Sequence, residues 1–208
     1  MVKINTKKLG LKKPVFVKVT VKKIKLADMM MNKLLKLGIE QDRTELLKER
    51  DISNEDFVNN AIKMNNMEIE FADSAFDFLQ KALNLSNKER DLAEDNLTFE
   101  ELGNYINYVI MRIKGQSEEN IKAMMNSEVK KDKDPKKRIR RLADTLIDTQ
   151  NEYQDLLYLQ QKLMLESGIA ISVSDEEEFE TLVEVMSAKA KEDRPVTPRE
   201  ALRRLRGK

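Results

Sequence analysis

The sequence predicts a mainly α-helical protein: a small N-terminal β-hairpin packed on a helical domain, then a charged hinge and a C-terminal helical block with one long helix. Apolar residues recur at helical spacing through most of the 208 residues. Charged residues make up 36% of the chain and aromatic residues only 5%, with six glycines and four prolines. This composition favours helices with solvated, charged outer faces.

Alternating residues predict the hairpin at the N-terminus. In residues 15–21, VFVKVTV, every second residue is valine, as in a strand with one buried face. The short run 2–4 can pair with this strand across the turn-prone residues 10–14. Because an isolated hairpin is marginally stable in water, we expect helices to cover it.

Helical spacing begins at Lys22 and predicts a helix that stops at Gly38, followed by a short helix over 42–50. A serine or threonine followed three residues later by an acidic residue then predicts the starts of further helices, because the hydroxyl can accept a hydrogen bond from the N3 amide. The helices expected from this pattern cover 54–83, 87–94 and 99–114, and Ser117 is expected to cap a further short helix through Met125.

The longest predicted helix covers 134–166, with Asp134 as its N-cap, Pro135 at its first position and Gly168 beyond its end. At 1.5 Å per residue it would be roughly 45 Å long, which exceeds the radius of gyration of roughly 17 Å for a compact chain of this length. It can be a core helix, or it can offer its apolar stripe to another chain. The candidate interaction residues on this stripe are Ile139, Leu142, Leu146, Tyr153, Leu156 and Leu157.

Residues 127–137, SEVKKDKDPKK, are predicted to form the charged hinge, because Val129 is their only apolar residue. The hinge divides the chain into an N-terminal hairpin and helical domain, residues 1–126, and a C-terminal helical block, residues 138–208.

Beyond the long helix, alternation over 169–173 predicts a short extended link. Two helices are then expected over 175–191 and 198–206. Each follows a capping-box sequence, which starts at Ser174 for the first helix and at Thr197 for the second.

The sequence lacks the residues that several classes of chemistry require. The chain has no cysteine and no histidine, and its six glycines stand apart from one another, so it has no disulfide, no imidazole base and no glycine-rich phosphate loop. The sequence therefore predicts a protein that is not an enzyme and has no cofactor or metal site. No apolar run reaches the roughly 18 residues of a membrane span, so we expect a cytoplasmic protein.

A basic run extends from Lys130 to Arg141. It can be a solvated linker, a contact for an acidic protein or a contact for nucleic-acid phosphates. No aromatic residue is interleaved for base stacking, and Asp132 and Asp134 dilute the positive charge, so nucleic acid is not the expected partner. Two alternatives to a chaperone-type interaction protein stay open: a helical nucleic-acid-binding regulator, and a coiled-coil adaptor that self-associates through the stripe of the long helix.

The start of the chain, VKINTKKLGLKKPVFVKVTVKKIK, followed by a mainly helical body, resembles the tail assembly chaperones of long-tailed phages that infect Gram-positive bacteria. The best local match lies in 85–124, with LSNKERDLAEDN and NYINYVIMRIKGQSEENIKAM. Residues from Asp134 onward resemble the second half of such proteins, an extension often added by a programmed ribosomal frameshift. The similarity there includes the segment DEEEFETLVEVMSAKAKED, which adds the candidate interaction residues Phe179, Leu182 and Met186.

The resemblance implies a non-enzymatic protein that acts in the host cytoplasm during virion assembly. Its N-terminal domain would coat the tape measure protein, a long helical rod with apolar stripes that aggregates when it is bare. Its C-terminal block would recruit tail tube subunits, which polymerise around the rod as the chaperone leaves. The expected partners are therefore the tape measure protein and the tail tube protein.

Overall fold

The computed structural model describes residues 1–48, 53–127 and 134–179. These residues form one antiparallel two-stranded hairpin and seven α-helices, which confirms the predicted mainly α class with a small N-terminal hairpin. The strands are β1 (Val2–Ile4) and β2 (Val15–Val17), with a 3₁₀ turn at Lys7–Leu9 between them. The helices are α1 (Val21–Lys48), α2 (Asn54–Leu83), α3 (Asn87–Asn96), α4 (Phe99–Ile113), α5 (Glu118–Ser127), α6 (Pro135–Ser167) and α7 (Ile171–Glu176).

The hairpin is shorter than the alternation of valines predicted. Val2 pairs with Val17 and Ile4 pairs with Val15, and the strand ends there instead of continuing to residue 21. Thr20 starts α1: its hydroxyl accepts a hydrogen bond from the amide of Lys23, and its carbonyl accepts one from the amide four residues ahead. A hydrophobic pattern of period two cannot show where a capping residue switches the chain to a helix.

Helix α1 is one continuous helix, so the predicted stop at Gly38 and the separate helix over 42–50 are both wrong. Residues 49 and 50 of that predicted helix lie outside the described residues. Left-handed φ angles occur at Gly10, Gly115 and Gly168 but not at Gly38. A Cβ atom at Gly38 would lie 3.3 Å from Cδ1 of Leu142 on α6. The glycine therefore allows α6 to approach α1 closely and does not end the helix.

The capped helices lie where the sequence places them. Ser53 begins α2, and complete capping boxes begin α3 and α4, where Ser86 pairs with Glu89 and Thr98 with Glu101. Helix α2 has the predicted bounds, whereas α3 continues two residues beyond 94 and α4 ends one residue before 114.

The main hydrophobic core lies between the hairpin and helices α1 to α4, and its buried residues include Ile4, Val17, Phe78, Ile106 and Ile110. Hydroxyl groups of α4 also bind the hairpin's backbone. Tyr105 donates to the carbonyl of Asn5 at 2.9 Å, and the amide of Asn5 donates to the hydroxyl of Tyr108 at 3.0 Å. These contacts confirm that the hairpin packs on the helical domain.

Helix α6 packs lengthwise along α1. Its predicted ends are confirmed: the side chain of Asp134 accepts a hydrogen bond from the amide of Lys136 at 3.0 Å, and Gly168 has a left-handed φ of 67°. The C-terminal block therefore lies against the N-terminal domain. Residues 128–133 of the predicted hinge lie outside the described residues, and the division into domains stays a prediction.

Beyond α6, the predicted extended link over 169–173 is wrong, because residue 171 begins helix α7. The capping box at Ser174 is also wrong. Ser174 lies inside α7, where its hydroxyl donates to the carbonyl of Ile171 and accepts a hydrogen bond from Gln160 of α6. This tertiary contact has no local sequence signal. The helix predicted over 175–191 is wrong in its described part, because α7 ends at Glu176, Glu177 is extended and Glu178 forms a β-bridge with Thr20. The rest of that helix, the helix predicted over 198–206 and the box at Thr197 lie outside the described residues.

Candidate protein-interaction surfaces

The predicted stripe on α6 lies largely on the side of that helix that packs against α1. Leu156 is buried with 5% of its surface exposed, and the other five predicted residues are half-buried. Leu142 sits beside Gly38 of α1. The stripe thus has a partner within the chain, and the six residues stay predicted contacts for a second protein.

A cleft of about 710 Å³ opens where α6 meets the hairpin and the start of α1. Leu156 and Phe179, two of the predicted interaction residues, both line it together with Val19 and Ile24. The amide of Phe179 donates to the carbonyl of Val19 at 3.2 Å, which fixes the C-terminal edge of the cleft. The predicted contacts at 182 and 186 lie outside the described residues.

Ion pairs hold α6 at the rim of this cleft. The ammonium of Lys114, after the end of α4, lies 2.7 Å from Asp28 of α1 and 2.6 Å from Glu152 of α6. Burial raises the pKa of Asp28, and the hydrogen bond from Lys114 offsets only part of that rise. Burial alone would lower the pKa of Lys114, but its hydrogen bonds to the two carboxylates outweigh burial and raise it. Lys114 therefore holds three helices together as a cation.

A second set of ion pairs uses the basic start of α6. The guanidinium of Arg138 donates to Asp42 of α1 at 2.7 Å and also pairs with Glu45. The basic run was expected to be a solvated linker, a contact for an acidic protein or a contact for nucleic acid. Arg138 contacts acidic groups of a protein, and these groups belong to its own chain. Because carboxylates already neutralise it, Arg138 gives no support to the nucleic-acid alternative. The part of the run over 130–133 lies outside the described residues.

The outward side of α6 also carries apolar side chains. Ile147, Tyr158 and Leu165 are each more than half exposed. They recur with polar residues between them, so this side of α6 is a sparse apolar row and not a continuous stripe.

An exposed apolar surface that the sequence did not reveal lies on the first half of α2. Val58, Ile62 and Ile69 expose 52%, 55% and 54% of their surfaces. Within Asn54–Glu70, all of which the structure describes, no side chain is buried. The sequence predicted one continuous helix over 54–83 and did not separate this half from the buried residues that follow from Phe71 onward. The spacing of four and seven residues between Val58, Ile62 and Ile69 was the signal that could have identified this row in the sequence.

Beside this surface, a groove of about 270 Å³ runs between the end of α1 and the start of α2. Leu47 and Thr44 form its α1 side, and Phe57 and Met64 form its α2 side. Phe57 is half exposed at the mouth of the groove. The described end of the α1–α2 pair therefore presents apolar surface on two adjacent sides.

The described residues contain no group of three or more side chains placed to hold a metal ion. Among the described helices, none combines the length and the hydropathy that a membrane span requires. What the described chain offers is apolar helical surface at several places. Exposed apolar helical surfaces are typical of proteins that bind other proteins. The fold and these surfaces therefore place the chain in the class of helical protein-interaction modules.

Comparison with known families agrees with this class. Residues 2–133 match the family of phage tail assembly chaperone proteins, TAC. Because the match covers more than half of the chain, the protein belongs to this family and has a role in phage tail assembly. The matched residues extend from the hairpin through α5, whereas α6 and α7 lie beyond them. Neither a curated protein nor a solved structure matches the chain.

Proposed function

We propose that this protein holds the tape measure protein during virion assembly and recruits tail tube subunits to it. The exposed apolar row on the first half of α2 carries this proposal, because it lies inside the residues that match the chaperone family. A helical client with apolar stripes needs such surfaces, since helices bind one another by burying apolar side chains at i, i+3, i+4 and i+7 spacing. An exposed apolar row of this kind marks a protein-interaction site.

The C-terminal block has the second task in this proposal, the recruitment of tail tube subunits. Among its described residues, exposed apolar side chains lie on the outer side of α6 and at Ile171 and Val173 of α7. The predicted stripe contacts at 139–157, in contrast, require α6 to separate from α1. The block lies beyond the family match, as an extension added by frameshifting would. We place the protein in the cytoplasm of a Gram-positive host, in keeping with the phages that its sequence resembles.

Co-expression of this protein with the tape measure protein and the tail tube protein tests the proposal. We expect a soluble complex that contains all three proteins in size-exclusion chromatography. The tape measure protein should aggregate when this protein is left out. Elution of three separate soluble proteins would contradict the proposed function.

A further inference from the structure

Six residues of α2 follow one another at intervals of four, three, four, three and four residues. We call this row the α2 seam, and its members are Val58, Ile62, Asn65, Ile69, Ala72 and Phe76. At 3.6 residues per turn the six positions fall within an arc of roughly 80° on one side of the helix. This alternation of three and four is the spacing with which one helix of a coiled coil packs against another.

The α2 seam is open to solvent along its first four positions and joins the core only at its far end. Val58, Ile62 and Ile69 are each more than half exposed, and Asn65 is exposed between them. Ala72 and Phe76 are half-buried and pack against the hydrophobic core. The seam thus has the spacing of one side of a coiled-coil contact, and its far end is anchored on the core.

The charges that α2 itself places beside the seam have a single sign. Within roughly 90° of its centre, the charged residues of α2 are Glu55, Glu68 and Asp73, and no lysine or arginine of that helix lies there. Glu68 accepts a hydrogen bond from the side chain of Gln41 on α1, which holds this carboxylate beside the seam. Lys63 lies on another side of α2 and pairs with Glu40 at 2.8 Å.

We propose that the α2 seam binds one helix of a client protein, in which apolar residues recur in heptads and lysine or arginine occupies the flanking positions. This inference rests on the proposed function and adds the chemistry of the bound segment. Positive flanks would pair with the three carboxylates, as charged flanking residues do across coiled-coil interfaces. Asn65 fixes the register, because a polar residue within an apolar seam is satisfied only opposite a polar partner.

The same charges disfavour a second copy of this chain as the occupant. In a two-fold symmetric dimer, the same surface patch lies on both sides of the interface. Two α2 seams facing each other would therefore bring carboxylates against carboxylates on both flanks. Like charges across an interface oppose association.

Two synthetic helical peptides about four heptads long test the inference on the full chain. They share the same apolar seam with one asparagine, and their flanking positions are all lysine in one and all glutamate in the other. Binding is measured by fluorescence anisotropy at low salt and at high salt. We expect the lysine peptide to bind about tenfold more tightly at low salt, from the sum of three exposed ion pairs, and the difference to shrink as salt increases.

Ile62→Glu is the variant that tests the position of the site, with Ile147→Glu on the outer side of α6 as the matched control. Both residues are more than half exposed, so both variants should fold, and circular dichroism checks this. We expect Ile62→Glu to weaken binding of the lysine peptide at least about tenfold, while Ile147→Glu leaves it unchanged.

Equal affinity for the two peptides, or binding that survives Ile62→Glu, would overturn the inference. So would a dimer in analytical ultracentrifugation that Ile62→Glu converts to monomer, since the occupant would then be a second copy. A negative result for the α2 seam can be distinguished from a failure of the proposed function. If the chain still keeps the tape measure protein soluble but Ile62→Glu has no effect on that complex, the proposed function stands and the α2 seam is not its site.

Discussion

At the scale of single residues, Lys114 links three helices through two ion pairs. It joins Asp28 of α1 and Glu152 of α6 at the end of α4. Asp28 is 1% exposed, so loss of its cation would leave a buried carboxylate without a compensating charge. Removing one partner of a buried ion pair is strongly destabilising, whereas removing both charges together is often tolerated.

We predict that Lys114→Met lowers the free energy of unfolding by about 3 kcal/mol. The double variant Lys114→Met with Asp28→Asn should recover much of this loss, because no buried charge is left unpaired. Urea denaturation of the two single variants and the double variant measures the coupling. Since the folded pKa of Lys114 is raised, its contribution is present below about pH 10.4 and is lost as the pH rises through the folded pKa. Additive effects of the two substitutions would contradict this account.

Capping residues show which local features the sequence specifies by itself. In each of the two complete boxes, the glutamate accepts hydrogen bonds from the backbone amide and the hydroxyl of the capping residue, which lowers the pKa of Glu89 and of Glu101. All the groups involved lie within four residues of one another. A short sequence pattern is therefore sufficient to predict these helix starts.

At the scale of helices, the two glycines inside α1 and α4 have different surroundings. A Cβ atom at Gly103 of α4 would have no neighbour within 4 Å, whereas one at Gly38 of α1 would lie 3.3 Å from Leu142. Glycine inside a helix lowers stability relative to alanine because it loses more backbone entropy on folding. Substitution by alanine should therefore give the full gain in stability at Gly103 but not at Gly38.

We predict that Gly103→Ala stabilises the protein by about 0.5–1 kcal/mol. Gly38→Ala should give a smaller gain or a loss, because Leu142 has to move. In a Leu142→Ala background, the gain from Gly38→Ala should return to that of Gly103→Ala. Thermal denaturation of the matched variants checks this. A full gain from Gly38→Ala in the otherwise unchanged chain would show that α6 does not pack closely at this position.

At the scale of the whole molecule, α6 and the core differ in the chemistry of their contacts. None of the described α6 residues belongs to the main core, which joins the hairpin to α1–α4. The contact of α1 with α6 and α7 instead contains five buried polar residues: Asp28, Asp42, Thr149, Gln160 and Ser174. A contact rich in polar groups resembles the interface between two domains more than the interior of one.

This difference predicts that the contact of α6 with α1 can be weakened without unfolding the core. Arg138→Ala removes the cation of Asp42 and Glu45, and we expect it to destabilise the start of α6 by about 2 kcal/mol. Native-state hydrogen exchange should speed up in the first turns of α6, while amides of β1 and α4 keep their protection. Faster exchange spread evenly over all described elements would contradict the separation.

The sequence by itself determined the helical class, the hairpin and the capped starts of α2, α3, α4 and α6, because caps, turns and periodicity act over fewer than about eight residues. It also supplied the family resemblance, which the match over 2–133 supports. Only the tertiary structure decided which apolar rows are covered. The stripe on α6 and the row on α2 have the same kind of spacing, yet the first packs on α1 and the second faces solvent, because burial depends on elements distant in sequence. For the same reason the sequence did not predict the roles of Gly38 and Ser174, because both residues contact α6, which is distant from Gly38 in sequence and has no local signal at Ser174.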